Sequence, residues 1–302
     1  MPDPNDVLHD GIRRELGGAL GAARTAYETV AAGRAGTAAP SLRAEALRRL
    51  SDVHRAQCRW DDALVAARES ARVAEAGGLD SLLVEALNAE AGVHLSRGDF
   101  DAAVPLLERM LGLTDDPRLR GIALQNLGAV AAQTGDLELA GQRFAESQRA
   151  FSRAGYRRGE ALALNNRGRA ALDAGDVAEA ARLLPQAVEI ARSVEDVDLV
   201  ALASLNHAEA LAALDHVERA EELISSALGF FSWTGNTWRR IECFRLLGDV
   251  RLRRGDASTA VACWRQGLDL ARAIHSPADE RVLQQRLTAE ESGGSVRIAT
   301  GG

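Results

Sequence analysis

The chain has 302 residues, 46% of them apolar and 26% charged, with a formal net charge of −7. That negative balance argues against duplex nucleic acid as the main partner, and no stretch approaches the roughly 18 uninterrupted apolar residues of a membrane span. All 36 basic residues are arginine; this fits a GC-rich genome and excludes a P-loop lysine, a Schiff-base lysine and a lysine general base.

The N-terminal stretch MPDPNDVLHDG is acidic and lacks a signal-peptide apolar region. Cys58, Cys243 and Cys263 are odd in number and show no metal-ligand spacing. Together these point to a reducing cytoplasm. Residues 4–32 read as a first pair of helices, with Asp3 or Asn5 as cap. The segment GRAGTAAPS at 33–41 is the longest breaker-rich stretch and marks a flexible joint. Further pairs follow over about 42–74, 81–113, 117–154, 158–193, 198–231 and 238–275. Pro105 lies near the start of a second helix; Pro185 lies deeper and should bend the helix that holds it. After Pro277, ADERVLQQRLTAEE reads as a short helix whose Val282, Leu283 and Leu287 cover the last repeat. Residues 292–302, SGGSVRIATGG, read as a disordered tail.

These pairs are copies of one unit. One alanine recurs in each second helix: Ala23, Ala63, Ala103, Ala140, Ala180, Ala220 and Ala260, in steps of 40, 40, 37, 40, 40 and 40. Four residues later come Tyr27, Leu107, Phe144, Leu184, Ile224 and Trp264, with Ala67 the exception. Five residues before it lies the inter-helix turn: Gly98, Gly135, Gly175 and Gly255, each followed by aspartate, with Gly18 in the first copy. Glycine suits the left-handed backbone that ends the first helix, and aspartate caps the second. Cys58 and Asp215 stand in place of that glycine, so those two turns should be less well formed. Seven residues before the turn sits a small residue (Gly11, Ser51, Ala91, Gly128, Gly168, Ala208, Gly248), with a large apolar residue four further back in all copies but Ser204's. Small beside large at helical spacing is what close helix packing requires. A period of this length with two helices marks a solenoid.

The large–small pair, the Gly-Asp turn and the fixed alanine with its large partner resemble the tetratricopeptide repeat (TPR) family over about residues 4–275. The 40-residue step is similar to the longer form found in kinesin light chains and in many bacterial signalling proteins, and residues 151–191 match it best. The resemblance implies an all-α, right-handed superhelical solenoid of about seven helix pairs with a C-terminal capping helix. Its divisions are an N-terminal pair at 1–32, a six-repeat array at 42–275, the cap at 277–291 and the tail at 292–302. It also implies a concave groove lined by one face of each first helix.

On that face Asn126, Asn166 and Asn206 hold one position in three successive repeats, and Asn88, Gln125 and Asn165 the position before it. Charged residues replace them at the ends: Glu45, Arg48, Arg49, Asp52 and Arg55 at one, Glu242, Arg245, Asp249 and Arg253 at the other. A carboxamide both donates and accepts. A row of them could pair with the backbone of an extended peptide, or could bond neighbouring helices and set repeat packing. The expected peptide groove is Asn88, Gln125, Asn126, Asn165, Asn166, Arg169, Asn206 and Arg245. The lysines of the chaperone-tail clamp found in some TPRs are missing. Phe230, Phe231, Trp233 and Trp238 form either an apolar plug at an irregular seam or a docking patch for a partner or a second copy. His54 and His94 share a position where the family often has tyrosine; two ligands make a poor metal site and packing explains them better. Arg157-Arg158 and Arg239-Arg240 read as solvated loop charges. The chain has no G-x-S-x-G, H-E-x-x-H, C-x-x-C or phosphate loop. The expectation is a cytoplasmic, non-enzymatic scaffold that needs no cofactor or metal and binds a protein segment or peptide. The alternatives are a peptide-responsive sensor and a self-associating structural module.

Overall fold

In the computed structural model, residues 2–292 are described, and among them the chain forms fifteen α-helices and no strand. It divides into two compact units, Met1–Thr134 and Gly135–Gly302. The first holds α1 (Pro4–Leu16), α2 (Leu20–Ala31), α3 (Pro40–Ala56), α4 (Trp60–Ala76), α5 (Asp80–Arg97), α6 (Phe100–Leu113) and α7 (Pro117–Gln133). The second holds α8 (Leu137–Arg153), α9 (Arg157–Asp173), α10 (Val177–Ser193), α11 (Val197–Ala213), α12 (Val217–Thr234), α13 (Thr237–Arg253), α14 (Ala257–Ala273) and α15 (Pro277–Glu291). Within each unit, helices adjacent in sequence pack on one another, and first helices also touch the first helix of the next repeat.

The repeat pattern explains this packing atom by atom. All seven fixed alanines are fully buried, and the large residue four positions later is buried in every copy that has one. In three copies its partner is the glycine of the preceding helix. A methyl group added at Gly11 would come within 2.6 Å of the Tyr27 ring, one at Gly168 within 2.6 Å of Leu184, and one at Gly248 within 2.3 Å of the Trp264 indole. Large side chains therefore fill the space that glycine leaves, and each buried Leu or Ile contributes about 1.5–3 kcal/mol. At the C-terminal end Leu283 and Leu287 of α15 close the core made by Ile241, Trp264 and Leu268. The tail expected over 292–302 lies, beyond Ser292, outside the described residues.

The turns correct two expectations. Cys58 and Asp215 adopt the same left-handed backbone as the glycines they replace, with φ of 56° and 65° against 78° at Gly175. Their closing bonds are intact: the Arg59 amide reaches the His54 carbonyl at 2.9 Å and the His216 amide the Leu211 carbonyl at 2.9 Å. Packing of the two flanking helices fixes the turn, and the local cost of a side chain at positive φ, about 1–2 kcal/mol, is smaller than the burial it secures. The aspartates after the turn also differ among themselves. Asp136, Asp176 and Asp256 each accept from the backbone amide three residues on. Asp99 instead turns to the buried His94, its Oδ2 lying 2.9 Å from Nδ1. The α10 helix continues through Pro185 from Val177 to Ser193. In the 33–41 segment the Ala35 side chain is buried.

Candidate functional site

In the first unit a hollow of about 290 Å³ is walled entirely by first helices: Arg48, Asp52 and Arg55 on α3, Glu85, Asn88 and Ser96 among others on α5, and Ile122 and Asn126 on α7. Their side chains reach it because residues three and four apart share a helix face. The Asn126 Nδ2 approaches the Asn88 Oδ1 at 3.5 Å, the limit of a hydrogen bond. Gln125 is buried behind them. Arg48 holds three carboxylates, Glu45 at 2.8 Å, Asp52 at 3.2 Å and Glu85 at 3.1 Å. Burial drives the Asp52 carboxyl above its ordinary value, and the Arg48 and Arg55 charges only partly offset this.

In the second unit the amides form a relay. The buried Asn206 donates to the Asn165 Oδ1 at 2.9 Å, and Asn165 donates to the Asn166 Oδ1 at 3.1 Å. Asn165 and Asn206 are each only 2% exposed, and Asn166 is half-buried. The Asn206 Oδ1 is buried without a hydrogen-bond partner. A larger hollow, about 460 Å³, lies among α9, α11, α13 and α15, with Val177 of α10 on its wall. Its floor is a chain of alternating charge. Arg169 bonds Asp173 and, at 2.6 Å, Glu209. Arg245 lies 3.7 Å from Glu209 and 3.6 Å from Asp249. Asp249 accepts Arg286 through both oxygens, at 2.6 and 2.9 Å, and the Trp264 indole N–H at 3.0 Å. Burial raises the Glu209 carboxyl, but Arg169 and Arg245 more than reverse this and hold it below the usual carboxylate value. Burial likewise opposes the Arg169 charge, and Glu209 with Asp173 outweighs it, so Arg169 stays protonated.

Sequence reasoning singled out Arg169 and Arg245 but missed Glu209 and Arg286, which tie them into one network. A signal was present: Arg169, Glu209 and Asp249 are successive 40-residue steps of a single helix position, with opposite charges at the first step. The four aromatics separate. Phe231 is buried in a core with Ile224 and Leu246, and Phe230 packs against that core and edge-on to Phe231, with ring centroids 5.5 Å apart. Trp233 and Trp238 are exposed at 82% and 60%. Trp238 stands over a third hollow of about 310 Å³ with Arg239, Ile241, Glu242, Arg245, Asp279 and Leu283. His54 and His94 are both buried.

Residues 120–193 match the family model of the tetratricopeptide repeat. That stretch is built of tetratricopeptide repeats, TPRs. The TPR fold extends well beyond that stretch. RapI, in its apo form, superposes with a TM-score of 0.70 at 14% identity, over 90% of this chain and 98% of RapI. The apo quorum sensor NprR from B. thuringiensis gives 0.71 at 12% identity, over 87% of this chain and 75% of NprR. A Rap protein complexed with Competence and Sporulation Factor gives 0.67 at 14% identity, over 98% of this chain and 83% of that one. At such identities the likeness is one of fold. No curated protein sequence matches the chain. Among the described residues no helix is long and apolar enough to cross a membrane.

Proposed function

We propose that this TPR chain is a non-enzymatic scaffold that binds a protein segment or peptide along its first-helix faces. The observation that carries this reading is the pair of open polar hollows, one in each unit, the first walled by first helices alone and the second by first helices together with the capping helix α15 and Val177 of α10. Asn88 and Asn126 line one, and Arg169 and Arg245 line the other. Gln125, Asn165 and Asn206 are buried, so their part is to hold the amides nearer the surface, with Asn166 as the contact. A helix face offering both donors and acceptors suits the alternating N–H and C=O groups of an extended chain. The fold shared with a Rap protein complexed with Competence and Sporulation Factor and with a quorum sensor supports the same reading. Three free cysteines, two of them buried and Cys243 pushed up by burial to about 12, suit a reducing bacterial cytoplasm.

A sensor is the second reading. The chain of ion pairs from Asp173 to Arg286 ties α9, α11, α13 and α15 together, and a ligand that competes for Arg245 would change how those helices are held.

The test is selection of random peptides on the purified protein, with affinities measured by fluorescence anisotropy. Asn88→Ala with Asn126→Ala, and Asn166→Ala separately, should each weaken a selected peptide that occupies the corresponding unit. For the double variant, two lost hydrogen bonds of about 0.5–1.5 kcal/mol each correspond to roughly fivefold or more. Circular dichroism should report unchanged helix content. The reading is overturned if no peptide is enriched, or if every enriched peptide binds both variants as it binds the wild type.

A further inference from the structure

The three amides of the second unit are bonded in one direction. Asn206 donates through Nδ2 to the Asn165 Oδ1, and Asn165 donates through Nδ2 to the Asn166 Oδ1. Asn166, the outermost and half-buried, thus turns its oxygen inward. Its Nδ2 has no partner among the described residues and is the polar atom left for a ligand. The direction follows from the buried end. Two amides meet oxygen to nitrogen, so reversing the relay means turning all three. Reversed, Asn206 would place its NH2 where its Oδ1 now stands without a partner. An orphaned buried N–H is rarer in folded proteins than an under-bonded carbonyl oxygen, and an NH2 carries two of them. The buried Asn165 and Asn206 therefore fix which atom Asn166 shows.

What stands beside Asn166 narrows the acceptor. Arg169 follows it by three residues on the same face of α9 and lines the charged hollow. That guanidinium is bonded to two carboxylates, Asp173 and Glu209. Arg245, the next arginine of the hollow, stands between Glu209 and Asp249. A carboxylate or phosphate arriving at Asn166 would meet arginines whose charge is already balanced, so its own charge would gain nothing. A neutral acceptor loses nothing by this, and the carbonyl oxygen of the peptide bond is the one that recurs along an extended chain.

We propose that Asn166 reads a bound peptide as a donor: its Nδ2 donates to one peptide carbonyl, while its Oδ1 stays with Asn165 and takes no peptide N–H. Asn165 and Asn206 are positioning residues that hold this polarity from within the core. The inference rests on the reading that the first-helix faces bind peptide, and it assigns the ligand atom that the second unit recognises.

The experiment uses the full chain and peptides selected on it from a random library, with single peptide bonds then altered. Changing one C=O to C=S weakens the acceptor and keeps the N–H; N-methylation removes the N–H and keeps the acceptor. In a peptide that Asn166→Ala weakens, one thioamide should lower affinity about two- to tenfold, the range of one neutral hydrogen bond. That loss should vanish when the thioamide is measured on Asn166→Ala. Asn166→Asp keeps the inward oxygen and replaces the NH2 by a second oxygen, so it should bind no better than Asn166→Ala. Asn165→Asp accepts from both neighbours and turns the Asn166 amide over. The facing peptide residue should then lose its thioamide sensitivity and gain sensitivity to N-methylation, a swap that lost packing alone does not produce. A folded Asn165→Asp without the swap overturns the positioning role. Asn166 is half-buried, so its variants keep the helix content in circular dichroism even if Asn165→Asp does not. If Asn166→Ala couples to an N-methylated position and to no thioamide, or if Asn166→Asp binds like the wild type, the polarity is wrong and the general reading stands. If selected peptides respond only to Asn88→Ala with Asn126→Ala, the assignment fails and the general reading stands on the first unit. If no peptide is selected, both fail.

Discussion

At the scale of single residues, the most consequential group is the Asn206 carboxamide. It is buried, and its Nδ2 supplies a hydrogen bond to the equally buried Asn165 across the α11–α9 contact. Truncating it leaves the Asn165 oxygen without a donor in a place water does not reach. Such an orphan costs about 1–3 kcal/mol, against about 0.5–1.5 kcal/mol for a hydrogen bond lost near the surface. Asn206→Ala should therefore lower the urea midpoint clearly more than Asn166→Ala. Equal losses, or none for Asn206→Ala, would show that the relay does not form in solution. The same residue marks how far the sequence could be read. Counting in steps of 40 places Asn126, Asn166 and Asn206 in one register position and makes them look equivalent. Their depth differs because the preceding amide, Asn165, stands at the end of the Asn206 side chain and draws it inward. Register is periodic and legible; which amide of a pair turns inward depends on what lies opposite.

At the scale of elements, the helix pair was the most legible part of the fold because its packing is written in the sequence twice, once as the small residue and once as the large one. Gly11 and Tyr27, Gly168 and Leu184, and Gly248 and Trp264 each lie sixteen residues apart and touch in the folded pair. The misread turns, at Cys58 and Asp215, have the opposite explanation: a local preference was taken as decisive where helix packing overrides it. The pairing makes a sharp prediction. Gly168→Ala would place a methyl group 2.6 Å from Leu184, an overpacking that should destabilise by about 1–3 kcal/mol. In a Leu184→Val background, which removes one methylene from the facing side chain, the same substitution should cost less. Double-mutant analysis should give a coupling of about 0.5–3 kcal/mol, the range for residues in contact. Additive effects would mean that the two helices are spaced more widely than the contact requires.

At the scale of the whole molecule, the buried titratable groups set a direction for stability against pH. His54 is depressed below its ordinary value of 6.5 by burial first and by the Arg59 charge second, with Arg24 acting the same way and Asp62 and Glu28 opposing. Burial, then Arg219, depresses His207. A depressed native value means that the unfolded chain binds more protons between that value and 6.5, so stability is complete above 6.5 and is lost as pH falls through the native values. The carboxylates of the arginine networks act in the same sense one window lower. Glu45, Glu69, Glu179 and Glu209 all lie below 4.5, and their contribution is present above 4.5 and lost as pH falls through their native values. Asp52, raised from 3.8, works against them. The urea midpoint at constant ionic strength should therefore fall in two stages, first below about pH 6.5 and then below about 4.5. His54→Gln with His207→Gln should flatten the first stage and leave the second, because glutamine keeps a polar side chain of similar size but does not titrate. A wild-type midpoint that stays level between pH 7 and 5, or a slope there that the double variant retains, would mean that the two imidazoles are not held neutral by the fold.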